Sequence, residues 1–152
     1  MTQMHHRTTT LERSFPVKPV AVFQAWADLE KRSLWNSPSD EVKIKYTEDD
    51  FSIGGKDVSL CLVGDYVAAE VIGIYHDIAP NRHIVYTEVI SSEGAMQGMS
   101  LVSVTFTPSG AGTDMTVTLQ TTAVSGADFL KDVEEGWTAS MGMMEKLLVG
   151  YY

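Results

Sequence analysis

The chain has 152 residues, with 20 acidic against 11 basic side chains and a formal charge of −9. That length fits one domain able to bury a sizeable core without staples, and the acidic balance argues against nucleic acid and anionic membrane as partners. The single cysteine, Cys61, excludes an internal disulfide and suits a reducing, cytoplasmic setting; no apolar run is long enough to span a membrane and no export signal is evident.

Residues 1–7 read as a flexible polar lead-in, and residues 8–152 as the single domain. Thr8 to Phe15 is rich in threonine, suits an extended strand and is closed by Pro16. Pro19 stands where a first helical turn tolerates a missing amide, and Val22, Phe23 and Trp26 follow at helical spacing. A second short helix, Glu30 to Trp35, begins after Asp28 and is stopped by Asn36-Ser37-Pro38.

Beyond Pro38 the period changes to two. Val42, Ile44 and Tyr46 alternate with polar residues, and Gly54-Gly55 turns the chain into a strand led by Val58, Leu60 and Leu62. Val67 to Ile78 is a long strand, apolar on both faces apart from Glu70. It returns through Ala79-Pro80-Asn81-Arg82 into Ile84 to Ile90, followed by a polar loop over Ser91 to Gln97. Two further alternating strands carry Val102, Val104 and Phe106, then Met115, Val117 and Leu119, joined at a Ser-Gly-Ala-Gly turn.

The last stretch, Ser125 to Tyr152, is helical. Phe129, Leu130, Val133, Trp137, Met141, Met144, Leu147, Leu148 and Tyr151 share an arc of about 120° on a helical wheel, opposite Lys131, Asp132, Glu134, Glu135, Glu145 and Lys146. Ser125 and Asp128 match a capping box, and Gly150 is a stop signal. Connections too short for parallel crossovers make the sheet antiparallel. The fold class is therefore α+β: a curved antiparallel sheet of about seven strands wrapped around a long C-terminal helix, with two short helices after the first strand.

Arg13-Ser14-Phe15, Val22 to Asp28, Trp35, Pro38, Gly54-Gly55, Gly73 to Pro80, Val104-Thr105-Phe106, Gly112-Thr113 and Gly136-Trp137 resemble, in order and spacing, the family of activator of heat-shock-protein-90 ATPase homologues. That family lies within the SRPBCC (START/Bet v 1-like, helix-grip) superfamily. The resemblance implies a helix-grip fold in which an apolar helix above a curved sheet can enclose a hydrophobic pocket. Related chains often have paired aromatics where this one has Leu34-Trp35, and leucines where it has Met141 and Met144, so a cavity here would have its own shape.

The methionines are adaptable side chains, and the middle of the helix is where a pocket is expected. The expected ligand-binding residues are Trp35, Phe51, Phe129, Trp137, Met141 and Met144. Gly136 reads as a packing residue that lets neighbours approach closely. The histidines His5, His6, His76 and His83 have no zinc-ligand spacing with Cys61, so no metal or other cofactor is expected. Cys61 reads as inert, and no serine elbow or phosphate loop is present. Glu70, Glu88, Tyr75, Tyr86 and His76 fall on two consecutive strands. A cavity carboxylate among them could serve cyclase or isomerase chemistry, although Glu70, Glu88 and His76 are expected on the solvent face. The leading expectation is a non-enzymatic module binding a hydrophobic small molecule. The alternatives are a chaperone-activator-like interaction domain and a proton-transferring enzyme. A homodimer is a further option, from the Tyr151-Tyr152 terminus and the exposed sheet edges.

Overall fold

The computed structural model describes residues 3–150. Tyr151, expected on the apolar arc, and the Tyr151-Tyr152 pair considered for a dimer contact lie outside the described residues. Seven strands form one antiparallel sheet in the order β1-β7-β6-β5-β4-β3-β2. Their ranges are β1 His5–Phe15, β2 Val42–Glu48, β3 Lys56–Val63, β4 Tyr66–Ala79, β5 His83–Ser92, β6 Ala95–Ser109 and β7 Gly112–Ala123. Only β1 is out of sequence order, because α1 (Pro19–Ala27) and α2 (Leu29–Asn36) separate it from β2. The third helix, α3 (Asp128–Val149), lies across the inner face.

Local chemistry explains most boundaries. Asp28 closes α1 and opens α2, its carboxylate accepting the Lys31 amide at 3.2 Å. Gly150 ends α3 in a left-handed conformation at φ 80°, as a stop glycine should. The capping box does not form: α3 begins at Asp128 after Ala127, and no side chain caps it. Instead Gly126, at φ 134°, reorients the chain and accepts the Phe129 amide. Two other differences lengthen the sheet. His5–Arg7, expected in the lead-in, pair with Thr121–Ala123, and the expected loop over Ser91 to Gln97 is a tight hairpin turning at Glu93 and Gly94, both at positive φ.

The core sits at one end of this grip. Ile84, Val102, Val104, Phe106, Met115, Val117 and Leu119 point inward from β5, β6 and β7 against Phe15, Val22, Phe23, Met141 and Met144. The helix α3 packs on α2, β1 and β7, and ion pairs from Arg7 to Glu134 (3.2 Å) and from Arg13 to Glu145 (2.8 Å) tie it to β1. Gly98 permits the approach of its first turn, since a Cβ there would lie 2.5 Å from the Phe129 ring. Held to the β1–β7 side, the helix leaves the β2–β5 side of the inner face uncovered.

Candidate functional site

That uncovered space is a cavity of about 350 Å³. One flank of α3 bounds it through Phe129, Asp132, Val133, Gly136, Trp137 and Ser140, a spacing of three and four that keeps them on one side of the helix. The floor comes from inward positions on four strands: Ile44 and Tyr46 on β2, Asp57, Ser59 and Cys61 on β3, Ala69, Val71, Gly73 and Tyr75 on β4, and Tyr86, Glu88 and Ile90 on β5. The far wall is Trp26 of α1 with Arg32, Trp35 and Asn36 of α2. Asp132 and Gly136 are also exposed, which places an opening along the flank of α3.

Tryptophans make the main apolar wall. Trp26 stands between Trp35, at 4.7 Å between ring centroids, and Trp137, stacked at 6.1 Å and 27°. Trp26 also meets Tyr86 edge-on, and Tyr86 packs on Tyr75. The Trp35 indole donates to the Ala25 carbonyl at 2.6 Å, locking α2 against α1. The Trp26 indole nitrogen is buried without a protein partner, unusual for a group whose desolvation is costly.

A charged cluster closes one end. Arg32, 4 % exposed, donates to the Trp26 carbonyl at 2.6 Å, pairs with Asp49 and lies 3.4 Å from Asp57. Its guanidinium also sits 4.8 Å from the centre of the Tyr46 ring. Burial opposes its charge, but Tyr75, Tyr46, Asp57 and Asp49 outweigh that and raise its pKa. Asp57 accepts from the Tyr75 hydroxyl and the Asp50 amide. Burial raises the Asp57 carboxyl, with Tyr75 and Arg32 opposing. Burial also pushes the Tyr46 phenol up to about 12, against Arg32 and the hydrogen bond from Asn36 at 2.8 Å. These phenols are protonated at neutral pH, so the cluster is an Arg32 cation held between two carboxylates.

Glu88 lies elsewhere on the floor. It accepts from the Trp137 indole at 3.3 Å, and burial raises its pKa to about 7, only partly offset by that bond. Expected on the solvent face, Glu88 instead lines the cavity, as do Tyr75 and Tyr86; Glu70 and His76 are exposed as expected. On β5 the alternation runs unbroken from buried Ile84 through Tyr86 and Glu88 to Ile90, all on the inner face, and with apolar residues on both faces the sequence alone does not say which set turns inward.

Of the six expected ligand contacts, Trp35, Phe129 and Trp137 line the cavity. Phe51 packs instead on Tyr75 and Phe23, against the core and off the cavity lining. Met141 and Met144 are both 0 % exposed in the core, so the cavity lies beside one flank of α3 and not beneath its methionines. Methionine suits either role because its flexibility fills irregular solid cores as readily as pockets. Gly136 was expected to allow close packing; a Cβ there would meet nothing within 4 Å, so it leaves room at the cavity instead. Sequence reasoning missed Trp26, Arg32, Tyr46 and Asp57. The signal available was a lone arginine in a short helix beside two tryptophans.

Among the described residues, no group of three or more His, Cys, Asp or Glu side chains could hold a metal ion, and no helix is long and apolar enough to cross a membrane. Burial raises the Cys61 thiol, which opposes the reactive thiolate.

Solved structures share this fold. A protein of Rhizobium loti is 31% identical over 94% of this chain and 97% of its own, with a TM-score of 0.84. One from Rhizobium leguminosarum is 25% identical over 96% and 99% of the two chains at 0.79. A third, from Chromobacterium violaceum, shares the fold at 22% identity, covering 93% and 96% with a TM-score of 0.81. No curated protein matches the chain. The family model described as "Activator of Hsp90 ATPase homolog 1-like protein" matches residues 16–149, from the end of β1 to the end of α3. With its helix-grip architecture and nearly its whole length matched, the chain belongs to the Activator of Hsp90 ATPase homolog 1-like family.

Proposed function

We propose that this protein is a small-molecule binding module that holds a hydrophobic or aromatic ligand between α3 and the β2–β5 side of the sheet. The observation that carries this reading is the cavity of about 350 Å³ with three tryptophans, Trp26, Trp35 and Trp137, on its lining. Small-ligand sites have this character: a concave apolar surface of a few hundred Å³ with a small number of placed polar groups. The test uses Gly136, whose vacant side-chain space borders the cavity. Gly136→Leu should suppress uptake of an apolar fluorescent probe while circular dichroism stays unchanged. Undiminished uptake by the folded variant would contradict the assignment.

Glu88 favours a second reading, proton transfer within a bound ligand. A carboxyl group that titrates near neutrality beside an apolar wall suits a general base. On this reading the protein accelerates hydrogen–deuterium exchange at the acidic C–H of a bound cyclic ketone, and Glu88→Gln abolishes it. Exchange at the rate of free solution would remove this reading and leave the binding module standing.

A further inference from the structure

We propose that the cavity is selective for an amine carried on an aromatic or ring skeleton, its ammonium against Glu88 and its ring against the Trp26–Trp137 wall. This rests on the cavity-binding reading above and adds the charge of the ligand.

The charges around the cavity point one way. Its lining carries one cation, Arg32, and three carboxylates, Asp57, Glu88 and Asp132. The terminal nitrogens of Arg32 are committed to the Trp26 carbonyl, Asp49 and Asp57, and two carboxylates already balance its charge, leaving its buried Nε–H as the one donor it could offer an anion. Glu88 is differently placed. Among the described residues it has no ion-pair partner within the cavity, and the Trp137 indole is its one hydrogen-bond donor. A carboxylate beside apolar rings without a cation is unsatisfied when ionised. A ligand ammonium supplies both the charge and the missing donors.

The rings point the same way. The Trp26, Trp35 and Trp137 indoles and the Tyr86 phenol form a continuous aromatic surface on the cavity lining, which meets this carboxylate through Trp137. Aromatic faces attract cations through their quadrupole, most strongly for tryptophan and where water is excluded. An anionic ligand would meet those faces and three carboxylates against one cation that two of the carboxylates of its own cluster already balance, and a neutral one would leave Glu88 unpaired.

Several groups could alter the titration of Glu88. Those lining the same cavity are Asp132 on α3, Tyr86 on β5, Tyr75 on β4, Asp57 and Cys61 on β3, Tyr46 on β2 and Arg32 on α2. The Tyr46, Tyr75, Tyr86 and Cys61 groups are all raised by burial and stay protonated near neutrality. Asp57 is held within the Arg32 cluster. Glu88, raised by burial to about 7, changes charge near neutrality, and its ionised form is the one that receives an ammonium.

Calorimetric titration of the wild-type protein with naphthylmethylamine, naphthylmethanol and naphthoic acid tests this, one pH unit below and one above the Glu88 midpoint. Above the midpoint the amine should bind about tenfold or more tighter than the alcohol, and the acid more weakly than both. Between the two pH values the amine affinity should rise about tenfold, as ionised Glu88 goes from the minor to the major form; the alcohol should change little. Glu88→Gln should remove both the preference and the pH dependence, with its melting temperature reporting that it is folded. Alcohol binding as tight as the amine, or amine affinity falling as pH rises, would overturn the charge assignment while leaving cavity binding intact. No binding of any of the three would overturn the cavity reading as well.

Discussion

At Glu88 the sheet places a carboxyl group where burial disfavours its charge, and that has a consequence for stability as well as binding. Its pKa rises from 4.5 to about 7 on folding. Below the lower value both states are protonated and nothing is lost. As pH rises through the interval, the unfolded chain ionises first, so stability falls, and above about pH 7 the penalty is complete at roughly 3 kcal/mol. Glu88→Gln should therefore raise the melting temperature at pH 8 and leave it unchanged at pH 4, read by thermal denaturation across that range. A constant difference at every pH would show that Glu88 does not titrate in this interval. Gly136 is the second residue with a measurable role: Gly136→Ala should stabilise by about 1 kcal/mol through helix propensity, because its methyl meets no neighbour. A loss of stability in denaturant melts would contradict the vacant space there.

Within α3 the apolar arc performs two tasks. Phe129, Val133 and Trp137 face the cavity, whereas Met141 and Met144 fill the core with Leu147 and Leu148 packed against it. Met141→Ala should cost about 2–5 kcal/mol in denaturant melts while the remaining folded protein keeps its probe binding. A small stability change with lost binding would return the methionines to the site. The sequence shows this helix plainly, because its period is unbroken, and shows the order of strands through short turns and alternation. It does not show where along the arc the packing opens. That depends on the helix being anchored towards β1 and β7 by contacts remote in the chain, Arg7 to Glu134 and Arg13 to Glu145. The orientation of β3 was equally hidden: Asp57, Ser59 and Cys61 face the cavity, while the apolar Val58, Leu60 and Leu62 occupy the alternate positions of the strand. A reading that turns hydrophobic residues inward has no access to a polar floor.

At the scale of the whole molecule, the grip is asymmetric. One end of the sheet, with α1 and α3, encloses a solid core, and the other holds a chamber closed by the Arg32–Asp49–Asp57 cluster. The solid end can hold the fold whatever the chamber contains, and on the proposed binding function a ligand should raise the melting temperature by mass action. The chamber proposed to hold the ligand is lined by three tryptophans, each carrying an indole N–H that NMR resolves. These groups differ: Trp35 bonds to Ala25, Trp137 to Glu88, and Trp26 has no protein partner. Titration of the isotope-labelled protein with naphthylmethylamine should shift the Trp137 and Trp26 indole resonances most, with the shifts abolished in Gly136→Leu. Shifts confined to outward-facing positions such as Leu60, Ile72 and Val89, with all three indole signals unmoved, would contradict the assignment.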